Sequence, residues 1–228
     1  MKVKEVERIV LVGNAIFLFY AALTTVVPAL VIYQVFRLRG NPKDEGSHAQ
    51  GEGFLGLLVF ALYTGTVFFN AGVSTLYELF QYGFQHHPEQ INLVPFYEGR
   101  VTVQYVLNII MFMPFGILLP LVWPQVNKLR FVLGYSLGFS VFIELSQMFN
   151  NRITDIDDLI MNILGALLGF ILLTLVRRLG KPVPRKERST GSAWRPAVYL
   201  AGMALGWFFL FYHKGLVELL YGQRPKLF

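Results

Sequence analysis

Apolar residues run through this chain in long blocks, and polar residues mark the joints between them. Six blocks approach the length of a bilayer-crossing helix, about 20 residues: Ile9–Phe36, Phe54–Phe80, Gln104–Trp123, Leu129–Phe149, Asp158–Val176 and Trp194–His213. None alternates with the period of two expected of a half-buried strand. The pattern predicts an all-α, polytopic helical membrane protein with about six transmembrane helices, or a five-helix core if the last block does not span. The parts are then an N-terminal helix and loop over 1–53, a transmembrane core over 54–176, and a basic loop, last helix and tail over 177–228.

Within these blocks a few polar residues fall at helical spacing. On the fourth, Ser136, Ser140, Glu144 and Gln147 follow at steps of four, four and three, so they share one face. On the third, Gln104 and Asn108 lie one turn apart, and on the fifth so do Asp158 and Asn162. A charge at mid-bilayer costs about 2.5–3.5 kcal/mol on insertion scales, so acids and amides in such segments mark candidate sites. The joint between the fourth and fifth blocks adds Arg152, Asp155 and Asp157, and the loop before the third block adds Asn92 and Arg100. The ten residues Asn92, Arg100, Asn108, Glu144, Gln147, Arg152, Asp155, Asp157, Asp158 and Asn162 form the candidate ligand-binding set. A structural reading competes with it: Thr154 and Asp155 suit a helix cap, and the acids after them suit a helix N-terminus.

Charge sets the expected orientation. Counted with the first two residues of the block that follows, the loops after blocks one, three and five carry 3, 2 and 7 Lys or Arg residues, and those after blocks two and four carry one each, Arg100 and Arg152. The basic loops are expected to be cytoplasmic, which turns the polar joints outward. Pro28 in the first block and Pro114 in the third are expected to bend their helices. Pairs of Gly at spacing four, Gly134/Gly138 and Gly165/Gly169, predict close packing of the fourth helix on the fifth, and Gly202/Gly206 is a third such pair.

Composition changes this picture little. The chain has 228 residues, is 54% hydrophobic and has no Cys, which excludes disulfides and thiolate chemistry. Its mean hydropathy is +0.50. The net charge of +6 is carried by the boundary loops, as expected for anionic lipid, so no nucleic-acid partner is expected. The adjacent His86 and His87 point apart on any regular element and suit the surface. No phosphate-binding loop and no serine–histidine pair stands out. A divalent cation on the joint acids is the weaker reading, and no metal or cofactor is expected.

Three blocks of sequence resemble the VanZ-like family of bacterial membrane proteins: Asn92-Leu-Val-Pro-Phe96, Asn108-Ile-Ile-Met-Phe-Met-Pro-Phe-Gly116, and Ile143-Glu-Leu-Ser-Gln147 leading through Arg152 and Asp155-Ile-Asp-Asp158 to Asn162-Ile-Leu-Gly165. The resemblance covers about residues 54–176. Asn151 stands where the family usually has Gly, and Thr154 where it often has an aromatic residue. The resemblance implies an envelope role, chiefly in Gram-positive bacteria, and a link to susceptibility to teicoplanin, a lipoglycopeptide. The expected partner is a membrane lipid, a lipid-linked cell-wall precursor or the lipoglycopeptide itself. An alternative is a membrane enzyme on a lipid-linked precursor, with Glu144 and a joint Asp as acid and base.

Overall fold

The computed structural model describes residues 3–39, 53–82, 91–97, 103–149, 154–179 and 192–212. The helices are α1 (Val3–Arg39), α2 (Phe54–Ala71), α3 (Leu76–Tyr82), α4 (Val103–Val122), α5 (Leu129–Gln147), α6 (Ile156–Leu179) and α7 (Arg195–Leu210). Two short strands, β1 (Ile91–Asn92) and β2 (Thr154–Asp155), pair in parallel. Five helical stretches are long and apolar enough to cross a membrane: Leu18–Arg39, Phe54–Phe80, Val103–Val122, Leu129–Gln147 and Ile156–Leu179. This is a helical membrane protein. The sixth block forms a helix of 16 residues, about 24 Å at 1.5 Å per residue and short of a hydrocarbon core about 30 Å thick. Pro28, Pro114 and Pro120 all lie inside helices that continue through them.

The core is aromatic. Phe60, Phe68, Phe112, Phe115, Trp123, Tyr199 and Trp207 are fully buried. Phe115 stacks on Phe139 with ring centroids 5.2 Å apart, and Trp123 meets Phe60 edge-on at 4.9 Å. Such contacts add about 0.5–1.5 kcal/mol per pair beyond area burial. Phe19 and Leu55 stay exposed on the outer face, as a lipid-facing surface allows.

The second apolar block breaks where the hydrophobic pattern alone reads a single span. Gly72 takes a left-handed conformation, φ 69°, and closes α2 as a Schellman motif: its N–H reaches the Phe69 carbonyl and the Val73 N–H the Phe68 carbonyl. α3 then restarts from a capping box, in which the Glu78 carboxylate accepts from the Thr75 N–H and the Thr75 hydroxyl from the Glu78 N–H. The break leaves backbone groups without helical partners, and neighbouring helices satisfy them. Gln147 Nε2 donates to the Ala71 carbonyl at 2.7 Å, Trp207 Nε1 to the Val73 carbonyl at 2.9 Å, and Ser146 Oγ accepts from the Ser74 N–H.

α4 and α6 meet backbone to backbone. A Cβ on Gly165 would lie 2.3 Å from the Ile109 carbonyl oxygen, one on Gly169 2.0 Å from that of Met113, and one on Gly116 2.0 Å from that of Ala166. The Gly165/Gly169 pair therefore serves the third predicted span, not the fourth. Gly134 and Gly138 have nothing within 4 Å of an added Cβ. They open instead onto an apolar groove of about 900 Å³ between α5 and α7. Gly206 receives α1, since a Cβ there would lie 2.3 Å from the Thr24 carbonyl oxygen.

Candidate functional site

The close seam between α4 and α6 fixes their register, and that register places Asn108 against Asp158. Asn108 Nδ2 donates to Asp158 Oδ1 at 2.5 Å, and Asn108 Oδ1 accepts from Gln104 one turn earlier. On the neighbouring helix, Ser140 Oγ receives Asn162 Nδ2 at 2.8 Å. The end of α5 contributes Glu144 and Gln147, both buried. These groups gather where α4 and α6 begin and α2 and α5 end. They line a cavity of about 590 Å³, to which Asn108, Glu144, Gln147, Asp158 and Asn162 all contribute. Pockets of roughly 300–1,000 Å³ are the usual size for small-ligand sites. Leu107 and Ile110, on the same wall, are about half exposed, so the cavity opens sideways between helices.

A strap of backbone is tied to the Glu144 carboxylate, which takes the Asp155 N–H. β1 pairs with β2 so that Ile91 faces Thr154 and Asn92 faces Asp155. Asp155 caps α6, its Oδ1 accepting the Asp157 N–H at 2.9 Å, and its Oδ2 accepts from Asn92 Nδ2 at 3.2 Å. Asn92 Oδ1 turns the chain by accepting the Val94 N–H, an Asx turn. Asp157 is buried, and its two oxygens take the Phe96 N–H at 2.9 and 3.1 Å; one also takes the Tyr105 hydroxyl. Phe96 sits at φ 56°, a left-handed conformation that costs a residue with a Cβ about 1–2 kcal/mol. The charge-assisted bond from its N–H, worth about 1.5–3 kcal/mol, offsets that strain.

The ten sequence-predicted residues thus divide. Asn108, Glu144, Gln147, Asp158 and Asn162 share the cavity. Asn92, Asp155 and Asp157 belong to the strap. Arg100 and Arg152 lie outside the described residues, as do His86 and His87. Glu144 also supports the strap, because its Oε2 accepts the Asp155 N–H at 3.1 Å and its carbonyl accepts from Thr154 Oγ1 at 3.2 Å. Capping of α6 falls to Asp155, while the Thr154 hydroxyl turns back to α5. Tyr105 is the partner that sequence reasoning missed. It is buried at the start of α4, one position after Gln104, where an aromatic residue reads as an interface anchor. Among the described residues, no three His, Asp or Glu side chains converge as a metal-binding group.

Two comparisons find similar proteins. The VanZ/LLP1 family model matches residues 82–177. Protein VanZ of Enterococcus faecium is 35% identical over 95 residues, 40% of this chain and 57% of the relative. The chain thus covers a little over half the length of that curated relative. No solved structure matches the chain. The matched stretch carries α4, α5, α6, both strands and the polar groups around them, whereas α1, α2 and α7 lie outside it. Over residues 82–177 this membrane protein is similar to the VanZ/LLP1 family.

Proposed function

We propose that the cavity bounded by α2, α4, α5 and α6 binds the polar headgroup or glycan of a lipid-linked cell-envelope compound, and that the protein thereby modulates susceptibility to lipoglycopeptides of the teicoplanin type. One observation carries this reading: seven polar side chains from four helices converge on a laterally open cavity, where two buried amide oxygens, Gln147 Oε1 and Asn162 Oδ1, lack partners among the described residues. Lipid tails offer no hydrogen bonds, so a buried polar group needs a partner from protein, water or ligand. The sideways opening past Leu107 and Ile110 suits a molecule whose tails stay in the bilayer.

The basic loops, chiefly the seven Lys and Arg residues over 177–195, support an extracytoplasmic placement of the cavity end. Single cysteines at Glu98 and Lys186, in a chain without native Cys, test that assignment. Labelling from outside intact cells at 98 and not at 186 is expected; the reverse overturns it. The ligand reading is tested by mass spectrometry of lipid that copurifies with the wild type and with Glu144→Gln at matched membrane abundance. A lipid enriched with the wild type and lost from the variant supports the cavity. Identical lipid content in both removes it.

A further inference from the structure

The charge of the cavity is lopsided. Five side-chain amides line it, and each nitrogen gives one of its two N–H groups to protein. Asn70 Nδ2 reaches the Thr66 carbonyl at 2.7 Å, Gln104 Nε2 reaches Asn108 Oδ1 at 3.4 Å, and Asn108 Nδ2 reaches Asp158 at 2.5 Å. Gln147 Nε2 reaches the Ala71 carbonyl at 2.7 Å and Asn162 Nδ2 reaches Ser140 Oγ at 2.8 Å. The orientation of Gln147 is dictated by chemistry, because a carbonyl can only accept. The lining also holds the carboxylates of Glu144 and Asp158 and the unpartnered oxygens of Gln147 and Asn162, two residues more than nine-tenths buried. None of the described lining residues is Lys, Arg or His.

We infer that this cavity selects a headgroup bearing a primary ammonium, which brings N–H donors to the two carboxylates and the positive charge that the described wall lacks. The inference rests on the headgroup-binding reading and narrows it. An ammonium brings three N–H donors on a compact cation, so it offers the carboxylates of Glu144 and Asp158 hydrogen bonds as well as charge. A phosphate brings acceptors and negative charge, so it is held outside, at the mouth. A trimethylated ammonium carries the charge without the donors.

The test uses the full chain in nanodiscs. Short-chain phosphatidylethanolamine, phosphatidylcholine, phosphatidylglycerol and a glucosyl diglyceride compete for the protein, and retention is read by native mass spectrometry. Phosphatidylethanolamine is expected to be retained about tenfold over the other three, and E144Q and D158N are each expected to lower that preference about tenfold. Both substitutions are isosteric, and the competition in the wild type needs no variant. Free ethanolamine should displace the lipid where sodium chloride at equal ionic strength does not; equal displacement by both would mean a general cation site and overturn the ammonium inference. Preference for the glucosyl lipid would also overturn it while leaving headgroup binding in place. Retention of none of the four overturns both readings.

Discussion

The α4–α6 seam and the α5–α7 flank begin from the same sequence feature and end differently. Each carries a helix with glycines at spacing four. At the seam, Gly165 and Gly169 of α6 accept α4 so closely that carbonyl oxygens occupy the space of absent side chains. At the flank, Gly134 and Gly138 face only a groove, although Ala197, Ala201 and Ala204 line its other wall. The difference lies in what else α7 must hold. Gly206 packs against α1, and Trp207 supports the broken end of α2 through Val73. Small residues show where helices can approach, and the rest of the packing decides which of them do.

The largest effect that separates the two regions is expected from Gly169→Val, which drives a branched side chain into the Met113 backbone. Overpacking usually costs about 1–3 kcal/mol, and a clash with backbone belongs at or above the top of that range. A collapsed monomer peak in size-exclusion chromatography, with little protein accumulating, is the expected result. Next comes Asp157→Ala, which strips the carboxylate acceptor from the Phe96 N–H and the Tyr105 hydroxyl. Removing the acceptor from a buried donor costs about 1–3 kcal/mol, and faster proteolysis within residues 91–97 should report the released strap. Tyr105→Phe should show the same change, weaker.

Gln147→Leu tests whether the seam side depends on stitched carbonyls. It removes the side-chain donor from the Ala71 carbonyl and should lower the thermal midpoint in detergent by an amount equivalent to about 1–2 kcal/mol. An unchanged midpoint would show that water reaches the break. The smallest effect, of opposite sign, is expected at the flank. Gly138→Ala meets nothing within 4 Å and should stabilise by up to about 1 kcal/mol, since Gly costs a helix interior that much relative to Ala. Destabilisation there would mean that the groove closes.

The helices, and the face on which Glu144 and Gln147 lie, were legible because membrane helices declare themselves by length and their polar stripes by spacing. The convergence of Asn108 with Asp158 was legible in outline, since both sit near the same ends of their helices. The partner of each Gly pair was not, because spacing on one helix carries no information about its neighbour. Two-residue strands such as Ile91–Asn92 fall below any periodic signal. The break at Gly72 was hidden within a block whose overall hydropathy reads as one span, although Gly72 and the Thr75-x-x-Glu78 box both stand in the sequence. Tyr105 was hidden for a different reason: its carboxylate partner lies 52 positions away in the chain.

The break in α2 has a consequence for the order of events during synthesis. The carbonyls of Ala71 and Val73 are satisfied by Gln147 and Trp207, which leave the ribosome long after them. Until those residues arrive, an open break in lipid would leave backbone groups unsatisfied at several kcal/mol each. A straight helix over Phe54–Phe80, 27 residues long and apolar enough to cross a membrane, avoids that cost by using its own amides. The nascent protein is therefore expected to insert this segment as one unbroken rod and to bend it only once α5 and α7 have been delivered.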